Sequence, residues 1–198
     1  MSHSTTTTRF VLVGTSHPGN LGATARAMKT MALTDLDLVA LECVPDEQAQ
    51  AMAAHADDVL TQARSFADLS AAVADSQFVL GLTARTRRDG VPALTPRQAA
   101  AMIAAEGGTV SVLFGRERTG LTNEELAHCH RLVHIPANPD YPALNLAAAV
   151  QIMAYELFLA GSSAPESMIA SSEAPTPATG ARLEGLHQAF EALVVQSG

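Results

Sequence analysis

The sequence predicts an α/β protein built on a mostly parallel sheet that is flanked by helices. Short runs of Val, Leu and Phe alternate with Ala-rich stretches, as expected when strands and helices alternate along a chain. Hydrophobic residues make up 47% of the 198 residues, which is enough to fill the core of one domain with a small appendage. Strands joined by helices pair in parallel, which gives the predicted sheet its direction.

In the first half, apolar runs and their flanking residues predict each element. The polar residues 1–8 are expected to form a disordered lead, and the apolar run 10–13 a buried strand. A loop follows, and Asn20 is then expected to cap a helix that ends near residue 31. The remaining predictions are a strand at 36–39, helices at 46–54 and 68–74, a strand at 78–82 and a loop at 83–90.

In the second half, capping signals mark the helices. An Ala-rich helix at 95–106 ends at a Gly pair, and Thr122 with Glu125 forms a capping box. Strands are predicted at 109–114 and 132–135, and a Pro-rich loop then leads into a long apolar helix at 144–161. The main domain is therefore predicted at 9–161, followed by a Ser/Ala/Pro-rich linker at 162–180 and by a further helix that begins in 181–198.

The charge balance argues against a general nucleic-acid coating protein, because the net charge is −8. Seven of the twelve basic residues nevertheless lie in or beside three loops. Arginine suits phosphate groups because its donors form a planar fork. The sequence predicts a localised basic site, with scattered solvated arginines as the alternative. The clustered residues are Arg26, Lys29, Arg85, Arg87, Arg88, Arg116 and Arg118.

Several classes of protein are not expected. Cys43 and Cys129 stand alone, so no metal site is predicted and a buried, reduced role is expected for both. The first residues contain no apolar segment typical of a signal peptide. The apolar stretch 144–160 is interrupted by polar residues, which indicates a buried helix and not a membrane span. We expect a soluble, cytoplasmic protein without a membrane partner.

Three loops carry the candidate chemistry. The first has the glycine spacing of a phosphate-binding loop, but Asn20 stands where that motif needs Lys, and no dinucleotide fingerprint follows the strand. There Gly22 would let another chain approach closely, and Arg26 lies further along the same helix; a plain capped helix with a surface Arg is the alternative. In the second loop, Glu117 stands between two arginines, which would favour its charged form, unless the loop is only an exposed turn. In the third, Asn145 opens an apolar helix and could either cap it or hold a ligand.

Taken together, the three loops resemble the signature motifs of the SpoU group of SPOUT methyltransferases. The motifs are N-x-G-x-x-x-R, then F-G-x-E-x-x-G-L, then a Pro-rich loop that ends in L-N-L, and the likeness spans roughly residues 9–160. Within that group the chain is most similar to enzymes that methylate the 2′-oxygen of cytidine or uridine in tRNA. The resemblance implies a fold that periodicity could not suggest, a SPOUT sheet with a deep trefoil knot near its C-terminal end.

The resemblance also implies the site. S-adenosylmethionine would be the methyl donor, the enzyme would be a homodimer, and the substrate would be the first nucleotide of the tRNA anticodon loop (position 32). Arg26 would reach the cofactor held by the partner chain, and Asn20, Glu117 and Asn145 would position Arg26, the ribose and the loops. The cofactor would be held by Leu82, Thr83, Ala84, Gly115, Arg116, Ile135, Pro142, Ala143 and Leu144.

Chemically, a sulfonium methyl group is already a good electrophile, so such a site must mainly align the ribose hydroxyl and help to remove its proton. The family proposal makes Arg26 the base, but an Arg side chain is very hard to deprotonate, and stabilising negative charge is an easier role for it.

The chain departs from the family pattern at Ala143, which stands where the family usually has Ser, so any hydroxyl contribution there is missing. The family's helical tail is also longer than residues 181–198, and a truncated tail would weaken the grip on tRNA. Two other functions stay open, a SpoU-type rRNA methyltransferase and an RNA-binding protein that binds the cofactor without catalysis.

Overall fold

The computed structural model describes residues 6–84, 92–162 and 178–197. Within these residues the strands are β1 (Thr7–Val13), β2 (Leu36–Val39), β3 (Arg64–Phe66), β4 (Phe78–Leu82), β5 (Thr109–Phe114) and β6 (Arg131–Val133). The helices are α1 (Pro18–Thr30), α2 (Glu47–Ala53), α3 (Asp57–Gln62), α4 (Leu69–Val73), α5 (Pro96–Glu106), α6 (Asn123–Ala127), α7 (Leu146–Gly161) and α8 (Gly180–Ser197).

The strands form one sheet in the order β3-β2-β1-β5-β4-β6, and all five pairings are parallel. This confirms the predicted α/β class. Alternate residues of each strand point to opposite faces, so the sheet has two apolar layers. The larger layer includes Phe10 and Phe114 and packs against α1, α5 and α7, while the smaller layer includes Val11 and Leu113 and packs against α4 and α6. Because the strands are parallel, the loops that follow β1, β4, β5 and β6 emerge at one edge.

Some boundaries differ from the predictions. β1 begins at Thr7, inside the predicted lead 1–8, because Thr7 donates to the carbonyl of Gly108 and continues the ladder with β5. β6 ends at Val133, two residues early, because its partner β4 ends at Leu82; the amide of His134 bonds the carbonyl of Leu94 instead, beside the isolated bridge between Leu94 and Val133. The strand β3 and the helix α3 were not predicted, because the polar pattern of that stretch has neither a strand nor a helix period.

The helix starts depend on side-chain caps. Asp46, Asp68 and Thr95 cap α2, α4 and α5, and the predicted capping box of Thr122 with Glu125 is confirmed at α6. The prediction for α1 was wrong: the helix begins at Pro18 after an N-cap at His17 with no side-chain cap, so Asn20 lies inside the helix and its amide is free for other contacts.

The chain divides into two units after residue 163, and of the second unit the structure describes residues 178–197. Its helix, α8, begins at Gly180, at the end of the predicted linker, and most of that linker lies outside the described residues. No helix among the described residues is both long and apolar enough to cross a membrane.

Candidate active site at the carboxyl edge of the sheet

A cavity opens at the carboxyl edge of the sheet, beside β4, β5 and β6. Its lining comes from the end of β4, the loop after β5, the segment after β6 and the start of α7. The nine residues that the resemblance assigns to the cofactor all lie along this cavity. The structure thereby brings together segments separated by more than fifty positions in the sequence, while the cofactor role of these residues stays a prediction.

Next to the cavity, three predicted site residues form one chain of hydrogen bonds. The amide nitrogen of Asn20 donates to Glu117 Oε1 at 2.9 Å, and the amide nitrogen of Asn145 donates to Asn20 Oδ1 at 3.0 Å. The side-chain oxygen of Asn145 accepts a hydrogen bond from the backbone N–H of Ala147 at 2.9 Å and so caps α7. Asn145 therefore caps α7 and also bonds Asn20, while its role in holding a ligand stays a prediction.

The carboxylate of Glu117 fixes the direction of this chain. Burial would raise the pKa of Glu117, but hydrogen bonds from Asn20, from its own backbone and from Ser16 outweigh burial and hold the pKa below its ordinary value. An ionised carboxylate can only accept, so Asn20 must turn its nitrogen towards Glu117 and its oxygen towards Asn145. The charged form of Glu117 is favoured as predicted, but by these donors and not by the flanking arginines.

Arg116 has a different environment from the one expected. Its guanidinium donates to Glu125 at 2.9 Å and lies 3.5 Å from the carboxylate of Glu42, and these two acids raise its pKa. The same side chain covers Gly14, which has a φ of +63° and where a Cβ would lie 2.6 Å from Arg116 Nε. Although Arg116 lines the cavity, its positive charge is already neutralised by two carboxylates.

The other predicted cations divide into paired and unpaired ones. Lys29 binds Asp58 at 2.7 Å, which removes it from the basic cluster. Arg26 and Arg118 are exposed, and among the described residues neither has an ion pair. Arg118 lines the cavity, whereas Arg26 does not line the cavity of its own chain. Arg85, Arg87 and Arg88 lie outside the described residues.

Gly22 has a role within the fold. A Cβ on Gly22 would overlap the carbonyl oxygen of Ala49, so the close approach that we predicted is made by α2 of the same chain. This contact fixes α1 against α2 and so supports the position of Asn20, two residues earlier.

Two residues that contact the site were not identified from the sequence. The backbone and hydroxyl of Ser16 both donate to Glu117 Oε2, at 3.4 and 3.3 Å. The ring of His134 binds the carbonyl of Thr83 on the wall of the cavity at 3.1 Å. Ser16 lies in the loop before the first motif and has no residue-type signal of its own, and the contact of His134 depends on the chain returning beside β4.

This arrangement can orient a polar ligand. Each side-chain amide has two N–H hydrogens, and among the described residues only one from Asn20 and one from Asn145 has an acceptor. The second hydrogen of each can therefore donate to a ligand oxygen. The described residues contain no group of three or more His, Cys, Asp or Glu suited to hold a metal ion.

The chain matches the SpoU rRNA methylase family over residues 7–155. It is 50% identical over 174 residues to tRNA (cytidine/uridine-2′-O-)-methyltransferase TrmJ of Yersinia enterocolitica, covering 85% of this chain and 68% of that protein. A probable methylase family protein from Haemophilus influenzae has a TM-score of 0.75 at 49% identity, covering 78% of this chain and 66% of the other. TrmJ from Z. mobilis has a TM-score of 0.73 at 41% identity, covering 76% and 67%. The chain spans about two thirds of the length of these relatives, and it belongs to the SpoU rRNA methylase family.

Proposed function

We propose that this protein transfers a methyl group from S-adenosylmethionine to the ribose 2′-oxygen of a cytidine or uridine in tRNA. The observation that carries the proposal is the chain Asn145–Asn20–Glu117, which leaves spare amide donors beside a cavity at the edge of the sheet. The relatives named as tRNA methyltransferases support the substrate class. The proposal includes the trefoil knot and the anticodon-loop target that the resemblance implies, and a cytoplasmic location.

The lining of the cavity fits S-adenosylmethionine. Leu82, Ile135, Pro142 and Leu144 offer apolar surface for the base and the methionine chain, and the intervening backbone offers polar groups. When bound, the cofactor supplies an electrophilic methyl group. Ala143 lines the cavity without a hydroxyl, so polar contacts at that position would come from the backbone.

The side chains would act by orientation and charge. The fixed amides of Asn20 and Asn145 would hold the ribose oxygens, and Glu117 would keep Asn20 in one orientation. Arg26 would stabilise the negative charge that develops on the 2′-oxygen. Because Arg26 is exposed and does not line the cavity of its own chain, we propose that it acts on the cofactor of a second copy in a homodimer.

The apolar surface of α7 supports such a dimer. Its inner face is buried against the sheet, but Tyr155, Phe158 and Leu159 are 47%, 44% and 38% exposed. Large exposed apolar groups on one helix are typical of an interaction surface. Light scattering at micromolar concentration is expected to give a dimer, and a monomer would remove the shared site.

A second candidate is methylation of ribosomal RNA, which the description of the matched family favours. Both substrates would use the same ribose chemistry, so only the RNA discriminates between them. Purified protein with labelled S-adenosylmethionine is expected to methylate tRNA and not rRNA, with the label on a ribose 2′-oxygen. Label in rRNA alone would select the second candidate, and binding of both ligands without transfer would select the non-catalytic one.

A further inference from the structure

The backbone of Thr83 is held on one side of the cavity by Val133 of β6 and by His134, which follows β6. The amide of Thr83 donates to the carbonyl of Val133 at 2.9 Å, and the carbonyl of Thr83 lies 3.1 Å from His134 Nδ1. A carbonyl oxygen only accepts, so Nδ1 of His134 carries the hydrogen. The backbone N–H and the backbone C=O of Thr83 therefore both have a partner next to the cavity.

His134 alternates with residues that form the wall. Val133 and Ile135, on either side of it, line the cavity, but His134 does not and turns its ring to Thr83 instead. Its backbone amide also donates to the carbonyl of Leu94 at 2.8 Å. His134 thus binds the chain at two points, at Thr83 where the chain leaves β4 and at Leu94 where it approaches α5.

The position of the Thr83 carbonyl decides the direction of the next N–H. A trans peptide group is planar, so the N–H of Ala84 points opposite to the carbonyl of Thr83 and therefore away from His134. Ala84 lines the cavity, and among the described residues its N–H has no acceptor. A backbone donor with a fixed direction is thereby left on the wall of the cavity.

We propose that His134 is a positioning residue, which turns the Thr83–Ala84 peptide so that the N–H of Ala84 donates to an acceptor atom of the cofactor. The inference rests on the proposed function, because it takes the cavity to be the cofactor site. His134 does not touch the cofactor itself; it acts through the carbonyl of Thr83. Its effect belongs to cofactor binding, since tRNA would be held elsewhere, by the amides and unpaired arginines.

Two substitutions separate this role from simple packing. In His134→Asn the amide nitrogen can take the place of Nδ1 and keep the bond to Thr83, whereas in His134→Gln it extends towards the place of Nε2 and loses that bond. Affinity for S-adenosylhomocysteine, measured by calorimetry, is expected to fall about three- to tenfold in the Gln variant, the range of one neutral hydrogen bond. The Asn variant is expected to stay within about twofold of the unmodified protein.

Three readouts complete the test. Ala84→Pro, which removes the N–H and leaves His134 in place, is expected to weaken S-adenosylhomocysteine by a similar factor. Thermal unfolding reports whether each variant is folded, and tRNA affinity is expected to be unchanged in all of them. Equal affinities of the Gln variant and the unmodified protein, or equal losses in Asn and Gln, would overturn the role of His134 and leave the proposed function intact. If the unmodified protein binds no S-adenosylhomocysteine, the proposed function fails and the inference fails with it.

Discussion

Two polar networks lie at opposite ends of the strands of this protein, and they differ in how completely their groups are paired. Near the start of β1 and β2, Asp37 lies between two arginines: Arg64 binds it at 2.7 and 2.8 Å, and Arg9 lies at 3.3 Å. Arg9 also binds Asp75 through both terminal nitrogens, so every nitrogen of its guanidinium faces a carboxylate. At the opposite end of the strands, Asn20 and Asn145 each retain a hydrogen without an acceptor among the described residues.

The difference separates a network that the fold requires from one that retains donors for a ligand. A buried charge must have partners, and the side chain of Asp37 is only 1% exposed, so the first network can change little without destabilising the fold. The second network includes a single carboxylate, Glu117, surrounded by neutral donors in a part-buried place. Spare donors at an open edge cost little when hydrated and can be transferred to a ligand. Because these donors are neutral amides, a localised polar site is compatible with the acidic net charge of the chain.

The largest effect on stability is expected at Asp37. Asp37→Asn leaves two arginines facing a neutral group and should lower the free energy of unfolding by about 3–5 kcal/mol. Asp75→Asn is the matched control: the Asp75 side chain is 63% exposed, so its loss should cost about 1 kcal/mol or less. Urea unfolding measures both. Equal losses in the two variants would mean that burial does not separate the networks.

Arg26→Ala should give the largest loss of catalysis. Removing a group that stabilises charge in the transition state lowers turnover by about 10²–10³-fold, while affinity for S-adenosylhomocysteine should stay nearly the same. Arg97→Ala is the control, because Arg97 is also an exposed arginine but binds Glu156 away from the cavity. Single-turnover methylation that is near normal in Arg26→Ala would contradict a catalytic role for this residue.

Glu117→Gln tests the single carboxylate of the second network. Gln can no longer accept from both Asn20 and Ser16, so we expect the free energy of unfolding to fall by about 1.5–3 kcal/mol at neutral pH, the range for hydrogen bonds to a charged group. We also expect a lower rate of methylation. Because Glu117 is only part-buried, the lower half of that range is expected.

The pH dependence of this loss has a defined sign. The pKa of Glu117 is lowered in the folded protein, so its contribution to stability is present above the unfolded pKa of about 4.3 and is lost as the pH falls through the lower folded pKa. Urea unfolding of both proteins at several pH values measures the difference. That difference should shrink towards acid, and one that grows instead would refute the assignment of Glu117 as a stabilised carboxylate.

The smallest effect on stability is expected at Asn145, where cap and site contact can be separated. Asn145→Ala removes both and should cost about 1 kcal/mol, whereas Asn145→Ser keeps a capping oxygen and should cost a few tenths. Both variants lose the donor to Asn20, so both should methylate tRNA slowly. Normal methylation by the Ser variant would show that this donor is dispensable.

Much of the fold followed from the sequence, because the strands carry short apolar runs and most helices begin at a capping residue. Strands β2, β4 and β5 appear at the predicted residues. The exceptions have physical causes: β3 is a polar edge strand held by Asp37 and Arg64, a pairing that only the sheet creates. The cap predicted at Asn20 failed because Pro18 starts α1 earlier, and this early start directs the Asn20 side chain towards Glu117.

The sequence motifs pointed to the candidate site residues, but not to the contacts among them. The motifs identify Asn20, Glu117 and Asn145, but no spacing shows that the three bind one another. Asn20 lies 97 residues before Glu117 and 125 residues before Asn145 in the sequence. Arg116 and Arg118 look equivalent in the sequence, and only the fold shows that Glu42 and Glu125 neutralise the first. Long-range pairing of charges is therefore the information that the sequence pattern lacked.

Mapping 2′-O-methyl groups in tRNA from cells that lack this protein, and from cells in which it is restored, tests directly whether it methylates tRNA. We expect one pyrimidine methylation in the anticodon loop to disappear without the protein, to return with the unmodified chain or with Arg97→Ala, and to stay absent with Arg26→Ala. An unchanged tRNA methylation pattern in cells without the protein would contradict methylation of tRNA by this protein, and full restoration by Arg26→Ala would contradict the catalytic role of Arg26.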